Sequence, residues 1–100
     1  MATIKNIQGY SFEMDYPLNT TTFNNVGAVY VIYINGKWLD VGETSELGNR
    51  IANHDRKSDW QQNAGILPIH VGVHQEGNEA TRLAIESTLR NSLNPVCGDR

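Results

Sequence analysis

The stretch 28–54, AVYVIYINGKWLDVGETSELGNRIANH, constrains this chain more than any other part of it. The run AVYVIYI carries bulk on both faces, as a strand inside a sheet does: Tyr30, Ile32 and Ile34 point one way, and Val29, Val31 and Tyr33 the other. Asn35-Gly36 is the preferred pair for a type I′ hairpin turn, because both central positions need positive φ. Residues 37–41 therefore return antiparallel, and Gly42 closes that strand. Thr44 or Ser45 then caps a helix on which Leu47, Ile51 and His54 recur at helical spacing. Arg50 and His54, four residues apart, share one side of it. A hairpin and a helix can bury their apolar faces only against further layers, which the remainder of the chain must supply.

N-terminal to this unit, Tyr10, Phe12, Met14 and Tyr16 alternate with Ser11, Glu13 and Asp15, predicting a strand with one buried face that Pro17 ends. The polar segment NTTTFNNVG predicts a loop into the core unit and carries no functional signal. After Lys57, SDWQQNAG predicts a loop anchored by Trp60. A further strand is predicted over 66–73, with Leu67, Ile69, Val71 and Val73 on one face and His70, Gly72 and His74 on the other. Gly77-Asn78 then caps a helix over 79–93, whose apolar positions are Ala80, Leu83, Ala84, Ile85, Leu89 and Leu93. Asn94-Pro95 stops it, because proline disfavours a helical residue before it. This order predicts an α+β fold: a central, mostly antiparallel β-sheet of three or more strands flanked by helices. An N-terminal strand and polar loop (1–25) pack onto a main domain (26–98), followed by a tail (99–100).

At 100 residues the chain is one domain, with no room for a catalytic module beside a separate recognition domain. Residues 1–10 lack the apolar core of a signal peptide, and the longest apolar run is far too short for a bilayer. A lone Cys97 admits no internal disulfide, so a cytoplasmic protein with no membrane partner is expected. A net charge of −3 argues against strong sequence-independent attraction to nucleic acid. Local sign counts for more: Arg50, Arg56 and Lys57 gather on or just after one helix, and Arg82 and Arg90 sit on another. These charges either form a solvated face or meet an anionic partner.

Glu86 lies between Leu83 and Leu89 at the border of an apolar face, where a carboxylate wants a cation. Arg82 and Arg90, four residues to either side, can pair with it at the surface. The other reading is a metal ligand, since a hard ion such as Mg²⁺ is often held by one or two carboxylates, with water and phosphate completing its shell. Arg50 can fork onto a phosphate or simply lay its stem over Leu47. His54 can donate to the same group, relay a proton, or be satisfied at the edge of the core. Tyr30 is a core aromatic or a phenol aimed at a water nucleophile. His70 and His74, roughly 13 Å apart on a regular strand, are too far apart to share one metal. There is no zinc pattern, Gly-rich phosphate loop, nucleophile elbow or dinucleotide fingerprint.

Taken together, these positions resemble the GIY-YIG nuclease family. Ala28-Val29-Tyr30 stands at its first motif and Asp40-Val41-Gly42 at its second, continued by Glu43-Thr44. Arg50 with His54 matches the helix that follows, and Glu86 ahead of Pro95 matches the end of the domain; the resemblance spans about 26–98. It implies hydrolysis of phosphodiester bonds in nucleic acid, most naturally DNA, with one divalent ion (Mg²⁺ or Mn²⁺) on Glu86. Tyr30 is then the base for the attacking water, Arg50 the phosphate clamp and His54 an assistant, with Arg50, Arg56 and Lys57 binding substrate. Two positions depart from the family: Asp40 replaces the second motif's Tyr, and Gly98 stands where many members have Asn. An anionic Asp40 would repel phosphate and lower activity unless it binds metal or burial raises its pKa. The alternative is a catalytically inactive module of the same fold that binds nucleic acid or a protein. In either case a protein partner or a second copy would supply recognition.

Overall fold

The computed structural model describes residues 3–98, so the predicted tail at 99–100 lies outside the described residues. Five strands, β1 (Thr3–Ile7), β2 (Tyr10–Pro17), β3 (Ala28–Ile34), β4 (Lys37–Thr44) and β5 (His70–Gln75), form one sheet in the order β1-β2-β5-β3-β4. Every neighbouring pair is antiparallel. Helices α1 (Leu47–Ala52), α2 (Lys57–Ala64) and α3 (Glu79–Leu93) flank it. This is the expected α+β architecture, with β1 as an added edge strand. No helix among the described residues is long and apolar enough to cross a membrane.

The alternation along β3 divides the core in two. Tyr30, Ile32 and Ile34 pack with Leu47 and Ile51 of α1 and Trp60 and Ala64 of α2. Val29 and Val31 pack on the other face with Phe12, Met14, Val41 and the α3 residues Ile85 and Leu89. β3 lies between β4 and β5, which sets Tyr30 opposite Gly42 on one side and Val73 on the other.

Several local expectations give way to tertiary structure. At Asn35-Gly36 only Gly36 has positive φ, 86°, so the turn is not type I′. The β3–β4 register slips between Ile32↔Asp40 and Tyr33↔Trp38, leaving Leu39 as an extra, fully buried residue. That bulge increases the local twist, which a primed turn would otherwise have to match. The turn with two positive φ values is Gln8-Gly9, at 53° and 90°, joining β1 to β2.

The segment read as a loop around Trp60 is helix α2, ended by Gly65 at φ 62°. Its buried side is only Trp60 and Ala64, too little to register as a period. Helix α1 stops at Ala52, so His54 lies beyond it and its ring turns into the core. β5 starts at His70 rather than 66, because Pro68 cannot donate to a ladder and Ile66 is fully exposed.

Helix α3 has the predicted bounds, with Asn78 accepting from the Thr81 N–H at 2.9 Å and Asn94 in the left-handed region at its end. Its buried side is Arg82, Ile85, Leu89 and Arg90, while Ala80, Leu83 and Ala84 face outward. The helix leans on β4, where its two arginines meet the carboxylates of Glu43 and Asp40. Beyond α3, the Val96 and Cys97 N–H groups donate to the carbonyls of Trp38 and Leu39 at 3.3 and 2.8 Å, so the chain end covers part of the β4 edge.

Gln8 holds a left-handed conformation that L side chains resist. Gln8→Asn should raise stability by up to about 1 kcal/mol, read as a higher urea midpoint with an unchanged m-value.

Candidate active site

Tyr30 leaves β3 on the face covered by α1 and α2, and its ring crosses β4 over Gly42. A Cβ at Gly42 would overlap the Tyr30 hydroxyl, so this position must lack a side chain. The hydroxyl lies 2.8 Å from His54 Nε2. The Arg56 backbone N–H donates to His54 Nδ1 at 3.0 Å. That bond assigns the ring proton to Nε2, so the imidazole donates to the Tyr30 oxygen. Trp60 packs on the imidazole with ring centroids 4.4 Å apart.

The His54 side chain is fully buried. Burial, reinforced by the charges of Arg50 and Arg56, pushes its pKa down to about 4, so the ring is neutral at pH 7. Both ring nitrogens are committed within the protein, which makes His54 a group that positions Tyr30. Burial pushes the Tyr30 phenol up to about 12, with Arg50 drawing it the other way. Arg50 itself is 38% exposed, and its one ion-pair partner among the described residues is the exposed Asp55 at 3.4 Å. Its fork of donors therefore remains open to an anion.

Asp40 is fully buried, and five donors converge on its carboxylate. They are Trp60 Nε1 at 2.9 Å, Arg56 Nε at 2.7 Å and Nη2 at 3.4 Å, Arg90 Nη2 at 2.8 Å and its neighbour's backbone N–H at 2.8 Å. Two arginines thus offset the anion that would have opposed a phosphate. Arg90 also donates to the carbonyls of Val41 and Cys97. A Cβ on Gly98, at φ 85°, would press on both Arg90 and Asp40, so the residue found there closes over the pair.

Of the other expected substrate contacts, Arg56 is held by Asp40, and Lys57 Nζ donates to the Ala52 carbonyl at 3.0 Å. Arg82 belongs to Glu43, at 2.9 Å, and not to Glu86. Glu86 is 24% exposed, its nearest cation is Arg90 Nε at 3.7 Å, and it accepts no hydrogen bond among the described residues. Burial first, and the charge of Glu43, hold its carboxyl above the usual carboxylate range, with Arg90 offsetting part of this. Such a carboxylate fits a hard divalent cation. No three His, Cys, Asp or Glu side chains converge among the described residues.

Tyr30, His54 and Arg50 therefore form one group, and Glu86 joins it through intermediates. Glu86 meets Arg90, Arg90 meets Asp40, Asp40 meets Arg56, and the Arg56 N–H meets His54. The sequence reading missed the structural parts of this chain. Arg90 was visible only as a neighbour of Glu86, and Trp60 only as an anchor. Compared with protein-family models, curated proteins and solved structures, the chain matches none.

Asp40→Asn leaves Arg56 without a carboxylate partner and Arg90 with only Glu86 at 3.7 Å, and should destabilise the fold by about 3–5 kcal/mol, measured by chemical denaturation. A pH series tests His54. The unfolded imidazole takes up a proton near pH 6.5 and the folded one only near 4. The stability it contributes is whole above pH 6.5 and is lost as the pH falls towards 4, by at most about 1.4 kcal/mol per pH unit. His54→Gln removes that slope.

Proposed function

We propose that the protein is a metal-dependent endonuclease of the GIY-YIG type, hydrolysing phosphodiester bonds in nucleic acid, DNA foremost, in the cytoplasm. The observation that carries this reading is the continuous polar chain from Glu86 to Tyr30, in which Asp40 is neutralised by arginines while Arg50 keeps its donors open.

Arg50 clamps the scissile phosphate, its planar fork spreading positive charge over the phosphoryl oxygens. Tyr30, fixed by the hydrogen bond from His54, first gives its phenolic proton to solvent; the phenolate, which the bond from His54 favours over the phenol, then orients the attacking water and takes its proton. Glu86 would hold a divalent cation, Mg²⁺ or Mn²⁺, which would supply positive charge to offset that developing on phosphate and leaving oxygen. A protein partner or a second copy would supply recognition beyond this domain. The single cysteine accords with a reducing compartment.

One observation favours the second reading, a catalytically silent module that binds nucleic acid or a protein: Tyr30 is only 1% exposed. Incubation of supercoiled DNA, single-stranded DNA and RNA with Mg²⁺ or Mn²⁺ separates the two. Nuclease action predicts cutting that falls at least about 100-fold in Tyr30→Phe, Arg50→Ala and Glu86→Ala, the scale of losing one charge-stabilising or acid–base group. With a base whose pKa is near 12, the rate should climb from pH 7 to 9. Nucleic-acid binding without cutting would establish the silent module, and equal cutting by all variants would remove these residues from the reaction.

A further inference from the structure

A cavity of about 510 Å³ lies where β1 and β2 meet the β3–β4 turn. It is separate from the site around Tyr30. Ile34 on its wall is four residues along β3, roughly 13 Å, and Tyr33 faces the opposite side of the sheet from Tyr30. Trp38 supplies an aromatic surface beside Tyr33, with ring centroids 5.7 Å apart. Lys5 and Lys37 are exposed cations on its lining, and the Lys37 ammonium also donates to the Asn63 carbonyl of α2 at 3.4 Å, a contact it must release to meet a ligand in the cavity. The Lys5 ammonium rests over the Trp38 ring, 5.6 Å from its centroid.

Asp15 completes the wall, in a conformation that L residues rarely adopt, φ 69°. The Tyr33 hydroxyl holds it there, donating to Oδ1 at 2.6 Å and accepting from the Asp15 N–H at 2.6 Å. The second oxygen, Oδ2, accepts no hydrogen bond among the described residues. A glycine would suit this backbone better, and the contacts with Tyr33 offset the strain of an aspartate here.

One face for stacking, one free acceptor and two cations together call for a ligand with a flat ring, an N–H donor on its edge and an anionic group. We propose that this cavity binds a nucleotide, with its base stacked on Trp38, a base N–H donating to Asp15, and its phosphate between Lys5 and Lys37. The volume lies in the range of small-ligand sites. Base–aromatic stacking is stronger than an exposed cation–π contact, so an arriving base displaces the Lys5 ammonium from the ring and leaves it free for phosphate. The site is independent of whether the protein cuts nucleic acid.

Tryptophan fluorescence of the whole protein reports on the site, because Trp60 is buried and its N–H is bonded to Asp40. The protein is titrated with AMP, GMP, CMP and UMP, with ribose 5-phosphate and inorganic phosphate, and with a short 5′-phosphorylated oligonucleotide. The expected result is saturable quenching by nucleotide, at least tenfold weaker in Asp15→Gly and Lys37→Ala, with thermal midpoints unchanged or raised. Asp15→Gly relieves the backbone, so lost binding there is not lost folding. Quenching by mononucleotides identifies a free nucleotide as ligand, and quenching by the oligonucleotide alone identifies a strand end. No quenching by any of them, equal response to ribose 5-phosphate or phosphate, or unaltered binding in both variants would overturn the proposal.

Discussion

Five donors from four places in the chain meet at the carboxylate of Asp40: its own strand, the loop after α1, α2 and α3. A buried anion of this kind tolerates the removal of no partner, since its desolvation is compensated only while the pairing is complete. The same ion pairs seat α3 against the edge strand, and Gly98 closes over them as the chain end pairs with β4. One charge thus ties together the last helix, the second helix and the edge of the sheet.

That arrangement also sets the electrostatics of the neighbouring group. Arg56 reaches Asp40 with its side chain and His54 with its backbone N–H, so fixing the ion pair fixes the imidazole tautomer. The imidazole in turn fixes the Tyr30 hydroxyl. Gly42 leaves the space into which the tyrosine ring extends. Arg50 stands outside this locked set, and its part-exposed guanidinium is the solvent-facing member of the group. Glu86 pairs with Arg90 at 3.7 Å, at the end of the set, and accepts no hydrogen bond among the described residues.

The interior strand, the return strand after Asn35-Gly36 and the bounds of α3 were legible in the sequence, because each follows from local rules: period-two alternation, a turn pair and caps. α2 was not legible, since two buried residues carry no period. Of the buried side of α3, Ile85 and Leu89 were legible but Arg82 and Arg90 were not, because the helix packs these arginines inward against carboxylates and leaves Leu83 48% exposed. A hydrophobic pattern cannot report a charged interface.

The sequence by itself determined the α+β class, the faces of β3 and the residue types available for chemistry: a phenol, an arginine, a histidine and a carboxylate. Only the tertiary structure decided their states. Asp40 is a matched anion rather than an exposed one, because two arginines distant in sequence reach it in the interior. His54 is neutral and points inward because α1 ends before it. Protonation and pairing depend on burial and on neighbours contributed by other strands and helices, and those distances exist only once the chain has folded.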